Sequence, residues 1–316
     1  MKSRLLDIIV CPECGKKFKC RVRKREGKEI IDGTLSCSCG ASFPIVRGIP
    51  RILPKEISKD KAETASRFFF EWRTFSGMEK AYEKQFLGFI YPPVRPGFFR
   101  GKLVLDAGCG MGRHAVFASK WGAKVVGIDI GNSVDIAYEN TKKLPNVHIL
   151  QADIYHLPFK KEFDFAYSIG VLHHLPEPEK GFRKLLAVLK PKGSIFAWVY
   201  GREGNQILKI LDPVRKNITS KCPLWFVYAL SGMMMVFLYP LIKASKLSGN
   251  KDSFFRYLSG FNFRQNHSIL FDQLLPPVAN YYKKEEFERW FKNAGLKNIM
   301  ITHRNQNSWR GFGTLK

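Results

Sequence analysis

Short apolar runs alternate with amphipathic segments between about residue 100 and residue 201. Each run is long enough for one buried strand, and the segments between the runs carry apolar residues at helical spacing. This alternation predicts a doubly wound α/β sheet. We predict strands at 103–105, 124–129, a run ending at Asp153, 163–168 and 193–200, and helices at 113–121, from Ser133 and at 179–189.

Two flanking regions complete the pattern. Residues 284–294 predict an amphipathic helix, and 297–303 with 309–315 predict a closing antiparallel strand pair. Residues 56–100 carry aromatic side chains at helical spacing, which predicts helices leading into the sheet. Such stripes are typical of core packing, and the alternative is that some of these aromatic residues line a ligand site.

An insertion of about 75 residues, 204–281, separates the fifth strand from the last helix. Its centre, 222–242, is 21 residues without a charge, which is long enough to cross a bilayer. A single crossing conflicts with the topology, because the elements on both sides belong to one sheet. Three interpretations stay open: a lid over an acceptor site, a monotopic membrane element, or a re-entrant hairpin broken near Gly232. The flanking basic residues are Arg215, Lys216, Lys221, Lys243, Lys246 and Lys251.

A second part of the insertion carries candidate polar groups. The segment 263–277 contains Asn266, His267 and Asp272, which we interpret either as acceptor-side groups or as loop and cap residues.

The composition indicates a folded and strongly basic protein. Of 316 residues, 45% are hydrophobic and 14% aromatic, which excludes a disordered chain. The net charge is +25, from 52 basic and 27 acidic residues. A charge this large favours a polyanionic partner, either nucleic acid or an anionic membrane surface. Residues 8–10 form too short an apolar run for a signal peptide, so we expect a cytoplasmic protein.

Five of the seven cysteines fall between Cys11 and Cys39. Two close thiol pairs, one on each side of a basic hairpin, can complete a tetrahedral zinc site of four sulfurs. Four thiolates leave no open position, so this zinc would be structural. The second pair is C-x-C rather than C-x2-C, which leaves Cys20 as an alternative ligand. The predicted ligands are Cys11, Cys14, Cys37 and Cys39.

The first strand runs into a glycine-rich turn with the sequence VLDAGCGMG, residues 104–112. Gly108, Gly110 and Gly112 allow a tight turn and a close approach of the backbone to a ligand. Asp129 ends the second strand, where a carboxylate can accept hydrogen bonds from ribose hydroxyls. The spacing G-x-G-x-G, with Arg113 in place of a further glycine, departs from the dinucleotide fingerprint. It still indicates a nucleoside-bearing cofactor.

This stretch resembles the cofactor loop of class I S-adenosylmethionine (SAM) methyltransferases of the type 11 kind. The resemblance extends over residues 100–201 and 281–316 and implies a Rossmann-like, seven-stranded methyltransferase sheet. It implies that Asp106 and the backbone of 108–112 face the methionine part of SAM, that Asp129 holds the ribose and that Asp153 accepts from the adenine amino group. The full set of implied cofactor residues is Asp106, Ala107, Gly108, Gly110, Gly112, Asp129, Ile130, Asp153, Ile154 and Ser168.

The N-terminal segment resembles a second family. The motifs CPECG and CSCG, followed by FPIVRGIPRIL at 43–53, are similar to the zinc ribbon of Trm112-like proteins, which are fused to or partnered with methyltransferases. This resemblance covers about 50 residues. We expect five segments: a zinc-ribbon domain (1–55), a helical lead-in on the cofactor side (56–100), a SAM-binding core (101–203), the apolar helical insertion (204–280) and the closing helix and strand pair (281–316).

The acceptor side offers fewer signals. His173 and His174 follow the fourth strand, in a SIGVLHHL stretch that resembles small-molecule and quinone methyltransferases. They are catalytic-base candidates, with packing as the alternative. The tetrapeptide N/D-P-P-Y of adenine and glutamine N-methyltransferases is replaced by Ser168–Val171, and no Pro-Cys nucleophile stands in the cytosine C5 position.

We therefore expect a SAM-dependent methyltransferase that acts on an apolar or amphiphilic small molecule, including a lipid-linked one. In that case an anionic membrane surface is an expected partner, with peripheral attachment to its cytoplasmic face. The alternative is an rRNA or tRNA base methyltransferase, because zinc ribbons precede the catalytic domain in rRNA guanine-N1 methyltransferases. A third interpretation is a zinc scaffold with a degenerate methyltransferase domain, against which the intact Asp106 and Asp129 argue.

Overall fold

The computed structural model describes residues 1–204, 212–247 and 254–316. Its strands, in chain order, are β1 Lys19–Glu26, β2 Glu29–Ser36, β3 Ser42–Val46, β4 Ile49–Ile52, β5 Leu103–Ala107, β6 Lys124–Asp129, β7 Val147–Ala152, β8 Phe163–Ile169, β9 Leu189–Tyr200, β10 Lys297–Arg304 and β11 Ser308–Thr314. The helices discussed below are α1 Lys59–Thr74, α2 Ala81–Ile90, α3 Arg113–Lys120, α4 Ser133–Thr141, α5 Pro178–Leu186, α6 Leu224–Ala244, α7 Phe254–Leu258, α8 Phe263–Leu274 and α9 Lys284–Asn293.

The strands of the described residues form one 11-stranded sheet in the order β1-β2-β3-β4-β7-β6-β5-β8-β9-β11-β10. Its last seven strands are the sheet that the sequence predicted. Strands β5 to β9 are mutually parallel where they pair, and among these seven strands only β11 runs in the opposite direction, antiparallel to both of its neighbours β9 and β10. The doubly wound α/β fold is therefore confirmed. Parallel strands place their carboxyl ends at one edge, so the loops after β5, β6 and β7 meet there.

Helices cover both faces of the sheet, because successive side chains of each buried strand point to opposite faces. On one face, Phe182 of α5 and Phe291 of α9 pack with strand residues such as Leu105. On the other face, α2, α3 and α4 pack with residues such as Val104. Strands β5 to β8 are buried on both faces, as the continuous apolar runs of the sequence require.

The N-terminal segment is joined to the central sheet by strand pairing, which the sequence did not predict. We predicted residues 1–55 as a separate unit, but β4 pairs in parallel with β7, with Arg51 opposite Gln151 and Ile52 opposite Ala152. Leu5 and Ile45 are fully enclosed in the same core as the methyltransferase strands. The four N-terminal strands thus extend the central sheet at its edge. This pairing covers an edge of the sheet that would otherwise be open.

The insertion is helical where it is described, and residues 205–211 and 248–253, including the basic Lys251, lie outside the described ranges. A π-helical turn at Arg215–Thr219 leads into α6, which packs along α8. Asn262 and Gln265 form a reciprocal capping box at the start of α8. Together with the turn that follows it, α6 is long and apolar enough to cross a membrane, but one face packs on the domain.

Candidate active site and metal centre

Four thiols converge in the N-terminal segment. The sulfurs of Cys11, Cys14, Cys37 and Cys39 all lie within 4.8 Å of one another. The Cys11–Cys39 and Cys14–Cys37 sulfur distances are 3.7 Å and 3.3 Å, near the roughly 3.8 Å expected for a tetrahedral site with Zn–S bonds of about 2.3 Å. The alternative ligand Cys20 is outside this group; it lies on β1 and packs against the core. The cluster is compatible with a structural zinc ion.

A cavity of about 560 Å³ opens at the carboxyl ends of β5, β6 and β7. Its floor includes the glycine loop and Asp129, and its far wall is formed by the inner sides of α6, α7 and α8. Helix α1 forms a side wall and contributes Lys61, Phe68 and Trp72. A nucleoside site and an apolar chamber therefore belong to one continuous space.

The glycine loop has the geometry that a closely approaching ligand requires. Gly108 and Gly110 have φ of +83° and +52°, in the left-handed region that favours glycine. A Cβ on Gly108 would collide with the side chain of Val171, and one on Gly110 would stand 2.9 Å from Nε1 of Trp72. No side chain larger than hydrogen fits either position without displacement. The aromatic residue that covers Gly110 comes from the lead-in segment.

Asp129 is held at the end of β6 by two backbone hydrogen bonds. Gly110 N donates to Oδ2 at 3.0 Å, and Gly131 N donates to Oδ1 at 2.8 Å. Each carboxylate oxygen keeps a lone pair for a further donor, such as a ribose hydroxyl. Burial raises the pKa of Asp129, and these backbone donors oppose the shift.

Asp153 also lines the cavity, but its carboxylate already has partners. Lys61 of α1 forms a short, buried ion pair with Oδ2. Tyr155 N donates to Oδ1 at 3.0 Å, and His156 Nδ1 lies 3.3 Å from Oδ2. An adenine amino group would share these oxygens, so the assigned role of Asp153 stays a prediction. Ile130 and Ile154, the residues expected against the adenine ring, line the same part of the cavity.

Four of the predicted cofactor residues lie behind the wall of this cavity: Asp106, Ala107, Gly112 and Ser168. Ser168 is fully buried, and its Oγ donates to the carbonyl oxygen of Ala107 at 2.9 Å, which ties β8 to β5. Asp106 is buried with Oδ2 unpartnered among the described residues. Burial raises the pKa of Asp106 to about 7. This geometry gives Ser168 a packing contact and places Asp106 behind the cavity wall, so its role toward the cofactor stays a prediction.

The two histidines after β8 have different environments. His173 is fully buried, and neither ring nitrogen has a partner among the described residues. His174 lines the cavity, and its Nδ1 lies 2.8 Å from the carbonyl oxygen of Val278. That contact requires a proton on Nδ1 and leaves the Nε2 lone pair free. Burial lowers the pKa of His174 to about 4 and lowers that of His173 well below its usual value, which favours the neutral form of both rings.

Two carboxyl groups on helices line the acceptor side. Glu71 of α1 is buried, accepts from Ser268 Oγ at 3.0 Å through Oε1, and keeps Oε2 without a partner among the described residues. Asp272 of α8 accepts from the hydroxyl of Tyr200 at 3.3 Å. Burial raises the pKa of Glu71 well above its usual value, aided by the charge of Asp272, and burial raises the pKa of Asp272 to about 6. Burial thus disfavours the charged form of both carboxyl groups.

The sequence analysis indicated only one member of this pair. Asp272 was among the candidate acceptor-side groups, whereas Glu71 was overlooked inside the aromatic run 68–75. A lone acid in an otherwise aromatic helical stripe was the available signal. Of the other two candidates, Asn266 lines the cavity, and His267 Nε2 lies 2.9 Å from Ser231 Oγ, a contact between α8 and α6.

Comparisons with known proteins agree with this geometry. Residues 105–197 match the family described as methyltransferase domain. A tRNA U34 carboxymethyltransferase of Pseudoalteromonas translucida is 34% identical over 121 residues, which are 37% of this chain and 37% of that protein. A ubiquinone biosynthesis O-methyltransferase of Coxiella burnetii is 30% identical over 154 residues, 45% of this chain and 63% of the relative. The chain thus spans about a third to two thirds of these relatives.

Among solved structures, magnesium protoporphyrin IX methyltransferase from Synechocystis with bound S-adenosylhomocysteine aligns with a TM-score of 0.49 and 16% identity. That alignment covers 80% of this chain and 96% of the other. The sequence match coincides with the strands that carry the glycine loop, Asp129 and Asp153. Residues 105–197 are therefore similar to the methyltransferase domain family.

Proposed function

We propose that the protein transfers a methyl group from SAM to a hydroxyl-bearing apolar or amphiphilic small molecule. The observation that carries this proposal is the continuity of the cavity. One end holds the glycine loop and Asp129, and the other is walled by apolar side chains of α6 and α7, such as Met235 and Tyr257. An acceptor bound against those helices would present one polar atom toward the cofactor end.

The residues present fit SAM on their own chemistry. At Gly108 and Gly110 the backbone leaves space that a Cβ atom would fill. Asp129 lines the cavity, and its carboxylate oxygens can each accept a further hydrogen bond. When bound, SAM supplies an electrophilic methyl group on a sulfonium. The protein must then position the acceptor atom, exclude water and remove a proton if the acceptor carries one.

Asp272 is the base that this geometry favours. Its pKa of about 6 leaves it ionised at pH 7 yet basic enough to accept a proton, and Tyr200 fixes its orientation. The acceptor hydroxyl would lose its proton to Asp272 as its oxygen bonds to the methyl carbon and the sulfonium bond breaks. Glu71 also lines the cavity, and its unpartnered Oε2 is available for a hydrogen bond with the acceptor. His174 is the second candidate base, because its free Nε2 is on a cavity-lining ring.

Apolar packing supports the choice of acceptor class. Met235, Leu238 and Ile242 of α6 line the cavity alongside Leu258 and Ile269. A charged or strongly polar acceptor would lose its hydration against these side chains with few hydrogen bonds in return. The relative from Coxiella, an O-methyltransferase of ubiquinone biosynthesis, is consistent with an apolar acceptor.

The test is methyl transfer from methyl-labelled SAM into total cell extract, followed by separation into lipid, RNA and protein fractions. We expect label in the organic phase, and we expect Asp272→Asn to reduce it by about 100-fold or more, the range for loss of a general base. Asp135→Asn is the matched control, because that carboxylate pairs with Arg51 and does not line the cavity. Label confined to RNA or protein would contradict the proposed acceptor class.

A second function, base methylation of RNA, has its own support. The relative from Pseudoalteromonas is a tRNA-modifying enzyme. Strand β1 also presents an exposed basic surface with Lys19, Arg21, Lys24 and Arg25, while Arg23 pairs with Asp32. Binding of tRNA or rRNA with a steep dependence on salt, abolished by replacing these four residues with glutamine, would favour this function.

A further inference from the structure

The outward face of α6 is apolar and open to solvent. The side chains of Phe237, Trp225 and Leu241 are 73%, 68% and 64% exposed, and Met233 and Val236 are each 58% exposed. Successive positions are separated by eight, three, one and four residues, which places them on one side of the helix. Apart from Lys243 near its end, the helix carries no charged residue. A surface of this kind marks an interaction site.

The opposite face of α6 fixes how the helix lies on the domain. Val227, Met235 and Ile242 are buried against α7 and α8. Polar contacts hold the same face: Ser231 Oγ lies 2.9 Å from His267 Nε2, and Lys243 Nζ donates to the carbonyl oxygens of Ser259 and Phe261. A helix packed in this way lies flat along the molecule. Turning it across a bilayer would expose these buried polar groups to hydrocarbon.

We propose that this face of α6 docks on an anionic lipid bilayer, with the helix lying in the plane of the membrane interface. Charge supports this occupant. Residues 212–247 contain five basic residues and one acid, Asp212, and the exposed Lys221 and Lys246 stand just beyond the two ends of α6. Lysines flanking an apolar helical face are typical of helices that bind anionic membrane surfaces.

The apolar surface continues beyond the helix. Leu247, directly after Lys246, is 92% exposed, and Ile218, before Lys221, is 55% exposed. Phe255 and Phe263, at the starts of α7 and α8, are 40% and 37% exposed. Aromatic and aliphatic groups mixed with lysines suit the boundary between headgroups and acyl chains.

A second copy of the chain is a less suitable occupant. An isologous contact along α6 would bring the flanking lysines of two molecules together, and each chain carries a net charge of +25. Both effects oppose self-association and favour an anionic surface.

Docking would also place the active-site cavity beside the bilayer. Met235, Leu238 and Ile242, on the inner side of α6, line the cavity, while the stripe on its outer side would contact lipid. One helix would thus separate acceptor chamber and membrane. Direct entry of a lipid-borne acceptor rests on the proposed function, whereas binding of the bilayer does not.

The test is flotation of the full chain with vesicles of phosphatidylcholine alone and of phosphatidylcholine mixed equally with phosphatidylglycerol. We expect binding to the mixed vesicles, weakened by salt. The double variant Trp225→Ser, Phe237→Ser should lose at least tenfold in partition while keeping SAM affinity, which shows that it folds. The double variant Val46→Ser, Met300→Ser replaces two exposed apolar residues outside the insertion, 41% and 40% exposed; it is the matched control and should bind like the parent.

Charge is tested separately. Lys221→Gln and Lys246→Gln should each weaken binding to the mixed vesicles about fivefold, because a lysine near an anionic surface contributes ~1 kcal/mol. Equal flotation of parent and double variant would overturn the proposal, as would absence of binding to both vesicle types. A dimer in light scattering that only the Trp225→Ser, Phe237→Ser variant abolishes would instead assign the face to a second copy. None of these outcomes depends on methyl transfer.

Discussion

Replacing Asp129 by asparagine tests the cofactor site most sharply. The carboxylate accepts Gly110 N and Gly131 N at 3.0 Å and 2.8 Å, one bond on each oxygen. An asparagine side chain offers one acceptor oxygen and an NH2 group that would face a backbone donor. It also removes the negative charge from the hydrogen bonds expected with the ribose hydroxyls.

The magnitude follows from the bonds concerned. A hydrogen bond to a charged group contributes about 1.5–3 kcal/mol, so losing one in the complex should weaken SAM binding by roughly 10- to 150-fold. Isothermal titration calorimetry with SAM measures this directly, and thermal unfolding of both proteins reports any general loss of stability. Asp135→Asn is the matched control, because that carboxylate pairs with Arg51 at 2.6 Å. A SAM affinity for Asp129→Asn within threefold of the parent would refute the assignment.

Three further outcomes are expected. Gly108→Ala should lower both the melting temperature and SAM affinity, because its φ is +83° and the new methyl group would collide with Val171. Gly97→Ala, which has open space around it, should change neither quantity in the same thermal and calorimetric measurements. Methyl transfer should fall as the pH drops below about 6, because protonation of Asp272 removes the base, and a pH–rate profile of Asp272→Asn without that inflection would check it. Elemental analysis should show that Cys14→Ser loses zinc, and its melting temperature should fall, whereas Cys20→Ser should keep its zinc. Equal zinc content in the two variants would contradict the predicted ligand set.

The strands and helices of the central sheet could be predicted because local signals agree along the chain. Apolar runs such as 124–129 and 163–168 are buried on both faces, which is the pattern that a parallel sheet imposes. The proximity of the glycine loop and Asp129 could be predicted from the same strand pattern, because a turn after one parallel strand and an acid after the next lie at the same edge of the sheet. The order of the strands in the sheet thus determines which distant residues lie close together.

Contacts between distant segments could not be predicted in this way. The pairing of β4 with β7 joins residues about 100 positions apart, and the sequence shows only that 49–52 is apolar. The contacts of α1 with the cavity residues have the same origin. Trp72 covers Gly110 and Lys61 pairs with Asp153, although neither residue differs locally from an ordinary helix residue.

Burial explains the remaining differences at the site. Glu71 in isolation has the appearance of a solvated helix residue, and only the packing of α8 against α1 turns it into a buried acid with a raised pKa. His173 and His174 are adjacent in sequence, yet only His174 reaches the cavity, because the short helical turn at 172–174 directs the two rings differently. The apolar run of α6 predicted a helix correctly, but its division into a buried and an exposed face required the position of α8.

The central claim is that one cavity holds the cofactor at the glycine loop and the acceptor against α6. A crystal structure of the protein with S-adenosylhomocysteine tests it most directly. We predict the ribose hydroxyls within hydrogen-bond distance of Asp129, the adenine ring between Ile130 and Ile154, and the sulfur facing the chamber bounded by Met235 and Asp272. Adenosine bound elsewhere, or a sulfur atom facing away from that chamber, would contradict the account.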